Sequence, residues 1–132
     1  MERLNENAKY SRREIGVGFI KSRKADHKVM DYCERMIEEA EKEGCEIFFV
    51  DVDRNGSRDI DRPELDAIYE AMKLGSVSHL FIRSLSDITD DMADLMEFKR
   101  KARENLIKIH IVLVEPYSDS KPDDVWDGGA GC

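Results

Sequence analysis

The chain has 132 residues, 41% hydrophobic and 38% charged, which suits one domain with a core of useful size. No stretch of ~18 apolar residues exists and none follows the polar start at Met1, so neither a membrane span nor a secretory signal is read; Cys33, Cys45 and Cys132 lack metal-ligand spacing, which fits a reduced, cytoplasmic chain. The net charge of −8 argues against the domain alone holding nucleic acid, because affinity for phosphates needs a basic footprint.

Residues 1–13 are polar and mixed in charge and read as a flexible arm. Ile15 to Ile20 is a short apolar strand containing glycine. Val29, Cys33, Met36, Ile37 and Ala40 then recur at helical spacing, and Gly44 closes that helix at its C′ position. Glu46 to Val50 is a buried strand by its β-branched and aromatic content, and Asp51 to Asp61 reads as a polar loop. Asp61-Arg62-Pro63-Glu64 has the form of a capped helix start, with Leu65, Ile68, Tyr69 and Met72 as its apolar stripe and Gly75 at its end. Val77 to Ile82 gives a third strand. Thr89 is expected to cap a third helix with the stripe Ile88, Met92, Leu95, Met96 and Lys99, and Leu106 to Val114 alternates as a fourth strand. Residues 119–132 read as an acidic, Gly-rich tail beyond a domain spanning 14–118.

Strands alternating with helices imply an α/β fold, a parallel sheet of at least four strands with helices on both faces in a flavodoxin-like three-layer arrangement. Sites in such sheets lie at the carboxyl ends of the strands. Those ends are Lys21-Ser22-Arg23, Asp51 to Asp61, Arg83 to Asp90 and Glu115-Pro116-Tyr117. The early positions of a calcium loop can be matched along Asp51, Asp53, Asn55, Gly56 and Asp59, but Arg62 stands where that loop needs its bidentate glutamate. His27, His79 and His110 are dispersed, with the last two in strand segments as structural residues. No metal and no cofactor is expected. A receiver-like signalling domain would need an acidic cluster and a strand-end lysine, which Asp51, Asp53 and Arg83 imitate only loosely.

The loop Asn55-Gly56-Ser57-Arg58-Asp59-Ile60-Asp61-Arg62-Pro63-Glu64-Leu65 resembles the Ser-Gly…Asp-Arg-Pro-x-Leu loop of the serine recombinases, the resolvase/invertase family. The resemblance covers roughly residues 14–118 of the chain. It puts Ser22, at the end of Gly18-Phe19-Ile20-Lys21-Ser22, on the family's nucleophile and Arg62 on an arginine that contacts the scissile phosphate. It implies DNA as the ultimate partner, strand cleavage and exchange through a phosphoserine link, and action as a homo-oligomer or beside a partner recombinase. The family's strand-end arginine is Ile20 here. Its Leu-Asp-Arg-Leu-x-Arg motif reads Leu85-Ser86-Asp87-Ile88-Thr89-Asp90, so two arginines have become Asp87 and Asp90.

Phosphoryl transfer to serine needs several guanidinium groups around a dianionic phosphate. At an effective dielectric of ~20, a charge pair ~4 Å apart is worth about 4 kcal/mol, so two reversals of sign remove most of that stabilisation. Lys21, Arg23, Arg58 and Arg83 are the cations left to bind phosphate. The expected function is a recombinase-type domain with impaired or absent catalysis. The alternative is a non-enzymatic interaction module on the same fold.

Overall fold

The computed structural model describes residues 14–55 and 60–112. Within them the order is β1 (Glu14–Lys21), α1 (Asp26–Lys42), β2 (Cys45–Asp53), a 3-10 turn (Pro63–Leu65), α2 (Asp66–Lys73), β3 (His79–Ile82), a second 3-10 turn (Leu85–Asp87), α3 (Met92–Glu104) and β4 (Lys108–Ile111). The four strands form one parallel sheet in the order β2-β1-β3-β4. The arm, Arg58, the tail and the segment after Val112 lie outside the described residues.

Alternation along β1 sends Val17 and Phe19 to one face and Ile20 to the other. On the first face they meet Leu65, Ile68 and Met72 of the α2 region, Phe98 and Ala102 of α3, and Leu80 and Ile82 of β3. On the second, Ile20, Cys45 and Phe81 pack under Tyr32, Met36 and Ala40 of α1. Gly18 lies beneath α1, where a Cβ would stand 2.6 Å from Met36 Sδ and 3.2 Å from Val50 Cγ2, so a larger residue would require the Met36 side chain to shift. Opposite Val17 the register of β2 slips, with Gly16 facing Ile47 and Gly18 facing Val50. That bulge turns Phe48 outward on the edge strand, where it is 67% exposed.

Several boundaries differ from the sequence reading, each for a visible reason. β2 runs through Asp51 and on to Asp53, because Asp53 has a buried cationic partner that a run of carboxylates does not advertise. Asp61 does not cap a helix; Arg62 precedes the 3-10 turn and α2 starts at Asp66. Thr89 is buried and accepts from the Asp91 amide (3.2 Å), while Asp91 caps α3 by accepting from the Asp94 amide at 2.9 Å. The buried face of α3 is Phe98 and Ala102, and Met92 and Met96 are exposed at 69% and 65%. In α1 the buried set is Val29, Tyr32, Met36 and Ala40, with Ile37 turned outward.

Helix ends follow the expected chemistry. Gly44 takes φ +78 after α1 and its amide reaches the Glu41 carbonyl at 3.0 Å. After α3 two hydrogen bonds close the helix, Leu106 N to Arg103 O at 3.0 Å and Ile107 N to Ala102 O at 2.8 Å, with a leucine at φ 59 in the glycine position. Leu106 therefore belongs to a helix cap, and the fourth strand starts at Lys108.

Near the amino ends of the strands, Glu14 bonds His79 Nε2, and His79 Nδ1 lies 2.7 Å from His110 Nε2. The His110 ring stacks on Phe81 with centroids 4.4 Å apart. Burial, then the neighbouring His79 and Lys108, lowers the His110 pKa from its ordinary value.

Candidate functional site

The carboxyl edge of the sheet brings together the ends of β1, β2 and β3 and the two 3-10 turns. Ser22 follows β1 directly and is fully buried. Its amide donates to the Asp53 carbonyl (3.0 Å), which continues the β1–β2 ladder by one residue. Its hydroxyl oxygen accepts from the Lys24 amide at 3.1 Å. That local turn folds the hydroxyl back onto its own backbone.

Arg62 stands on the same edge, 3% exposed. Its guanidinium donates through Nε to Asp53 Oδ2 (2.8 Å), through Nη1 to the Ile88 carbonyl (2.7 Å) and through Nη2 to the Asp87 carbonyl (2.7 Å). Its plane also lies over Phe19, 5.6 Å from the ring centroid. Asp53 is wholly buried, and its other oxygen accepts from the Asn55 amide at 2.8 Å. The arginine thus ties the end of β2 to the turn after β3.

A second buried ion pair lies beside the first. Arg83 grips Asp87 with two bonds, Nε to Oδ2 at 3.0 Å and Nη2 to Oδ1 at 3.1 Å, and donates also to the Lys21 carbonyl. Asp87 Oδ2 accepts in addition from the Lys21 amide at 3.2 Å. β3 pairs with β1 only as far as Phe19 and Ile82. The Arg83–Asp87 pair takes over the N–H and C=O of Lys21 that a longer β3 would have bonded. Lys21 itself is buried, and its ammonium reaches the Asn55 carbonyl at 3.0 Å.

Of the expected residues, then, the catalytic pair Ser22 and Arg62 and the phosphate-binding Lys21 and Arg83 stand on one edge, Arg23 is exposed at the turn after Ser22, and Arg58 lies outside the described residues. Ile20 faces the core under α1, and Asp90 is exposed. Sequence reasoning missed two residues. Arg54 donates to the Ser22 carbonyl (3.2 Å), to the Lys24 carbonyl (2.6 Å) and to Asp26 (3.2 Å), and so pins the turn that holds Ser22. Asp53 is the buried counter-ion of Arg62. A basic residue directly after a strand's last position was the available signal for Arg54. Nearby, burial and then the Asp53 and Glu64 charges push the Asp51 carboxyl pKa up.

Three guanidinium groups on this edge have a carboxylate partner: Arg62 with Asp53, Arg83 with Asp87, Arg54 with Asp26. Arg62 and Arg83 donate inward to this chain.

The resolvase N-terminal domain family matches residues 22–125. Among solved structures, the C-terminal catalytic domain of ISC1926 TnpA, an IS607-like serine recombinase, superposes with a TM-score of 0.62 at 17% identity, over 86% of this chain and 76% of that one. The N-terminal catalytic domain of TP901-1 integrase superposes with a TM-score of 0.55 at 16% identity, over 72% of this chain and 76% of that one. At such identities the likeness is one of fold. No curated protein sequence matches the chain. A match to the family over most of the chain, on a fold shared with two recombinase catalytic domains, makes this chain a member of the resolvase N-terminal domain family.

Proposed function

We propose that this domain takes part in DNA recombination without cutting DNA, working through a second copy of itself or an intact partner recombinase. The state of Arg62 carries the reading. An arginine that is to stabilise a phosphoryl transition state must aim donors at the reacting phosphate. Arg62 instead spends Nε, Nη1 and Nη2 on Asp53 and on the Ile88 and Asp87 carbonyls, beneath the surface. Ser22 is fully buried as well, with its hydroxyl oxygen engaged by the Lys24 amide. Recruiting Arg62 would require breaking an ion pair whose separation leaves a buried charge behind, and recruiting Ser22 would require unmaking the turn that buries it.

The test gives the domain what it lacks. Fused to a sequence-specific DNA-binding domain and offered duplex carrying that site, the unaltered chain is expected to form no denaturation-resistant protein–DNA adduct. Supplying affinity repairs positioning and leaves the charge stabilisation missing. An adduct that forms and disappears in Ser22→Ala would overturn the reading and make this an active recombinase domain.

A further inference from the structure

We infer that Asp87 is a resident intramolecular anion, whose carboxylate fills an oxyanion site built from the Lys21 amide and the Arg83 guanidinium and closes that site to phosphate groups. Three N–H donors converge on its two oxygens: Lys21 N and Arg83 Nε on Oδ2 at 3.2 and 3.0 Å, and Arg83 Nη2 on Oδ1 at 3.1 Å. A guanidinium fork with one backbone amide is the donor set that recognises sulfate and phosphate as well as carboxylate. The side chains of the pair are only 8% and 4% exposed, so no external anion shares the site while Asp87 is in it.

The donors are held by contacts that do not involve Asp87. The Lys21 amide points toward the β3 side because β1 is fixed in the sheet, with Phe19 opposite Ile82 and Lys21 opposite Asp53. The Arg83 guanidinium is held by the Lys21 carbonyl and lies over the Tyr32 ring, 5.5 Å from its centroid. Arg62 anchors the turn through the Asp87 backbone carbonyl, not its side chain. Truncating the carboxylate therefore leaves the cationic donor set in place, and an oxyanion is the class of ligand that its three N–H groups recognise. The meaning of this for DNA rests on the non-cleaving reading above; the site itself does not.

Asp87→Ala, titrated with sodium sulfate against sodium chloride at matched ionic strength, separates the outcomes. The expected result is a sulfate-specific rise of several degrees in the unfolding midpoint and a saturable shift of the Lys21 amide resonance. The unaltered protein shows neither, and adding Arg83→Gln to the variant abolishes both. A folded Asp87→Ala protein with no sulfate-specific response, or an unaltered protein that responds as strongly, overturns the inference. If Asp87→Ala does not fold alone, recovery of its fold in sulfate that the Asp87→Ala, Arg83→Gln double variant does not share supports the site, and no recovery, or equal recovery of both, overturns it. A Ser22-dependent DNA adduct from the unaltered chain would overturn the non-cleaving reading and leave this site standing, so the two can fail separately.

Discussion

Arg62 illustrates how one side chain can be read in two ways. Its position in an Asp-Arg-Pro loop marks it as a phosphate contact, yet its environment makes it a cross-link between β2 and the turn at Leu85–Asp87. A buried pair is costly to break from one side, because the remaining charge has neither water nor partner. Arg62→Ala is accordingly expected to lower stability by about 3–5 kcal/mol, measured as a drop in the urea midpoint. Removing Asp53 in the same chain should recover part of that loss, since the orphaned carboxylate goes with it. A loss under about 0.5 kcal/mol, the range of ordinary surface substitutions, would show that Arg62 is not the cross-link described. The same logic bears on restoring the family's arginines. Asp87→Arg alone would set a cation against Arg83 and leave the Lys21 amide without its acceptor, so it should destabilise before it activates.

At the scale of elements, the cap after α3 offers a simple test. Leu106 holds φ 59 in a position that glycine occupies without strain, and its side chain is 83% exposed. A left-handed conformation costs a non-glycine residue roughly 1–2 kcal/mol, so Leu106→Gly is expected to stabilise the domain by about 1 kcal/mol, read from chemical denaturation. No gain, or a loss, would mean that the exposed leucine makes contacts worth more than the strain. The same cap shows what the sequence conceals. Alternation carried the fourth strand back to Leu106 because an apolar residue before Ile107 looks like strand, and only the backbone reveals the left-handed turn. The order of strands and helices, the closing role of Gly44 and the gathering of Ser22, Arg62, Lys21 and Arg83 on one edge were all legible, because hydrophobic period and glycine placement are local signals. The phase of α3 was not. Methionines at helical spacing outweighed Phe98, although the sheet takes the bulky ring and leaves Met92 and Met96 in water. Ion pairing was equally hidden: Asp53 and Asp87 read as loop acids until Arg62 and Arg83 are seen beside them.

For the molecule as a whole, charge decides two further properties. Arg62 and Arg83 at the carboxyl edge are paired internally and the chain carries a net −8, a balance that disfavours DNA. Gel-shift titration at physiological salt should give no submicromolar dissociation constant, non-specific binders already lying near ~10⁻⁴–10⁻⁶ M; a tighter complex would refute this. The second property is pH dependence. The folded-state pKa of His110 is lowered by burial and by His79 and Lys108, with Glu43 acting weakly the other way. The unfolded chain then binds the proton more readily, so the stabilisation is complete above the ordinary imidazole value of about 6.5 and is lost as pH falls below it. Glu14, lowered chiefly by its bond to His79, acts with the same sign further into acid. Asp51, whose pKa is raised, opposes them from the carboxylate range upward. Denaturation midpoints should fall between neutral pH and about pH 5.5, and His110→Gln should flatten that slope. A variant that keeps the full slope would exclude His110 as its source.

The strand order has a consequence for synthesis. Of the four described strands β1 is made first, yet it lies between β2 and β3. At ribosomal rates of ~5–20 residues per second, the roughly 60 residues separating Gly16 from its partner His79 take about 3–12 s to emerge. During that interval one whole side of the Gly16–Phe19 segment lacks its native partner. Nascent-chain protection against misassociation should therefore matter most between the completion of β2 and the arrival of β3, and pauses in translation there should lower the yield of folded protein more than pauses after it.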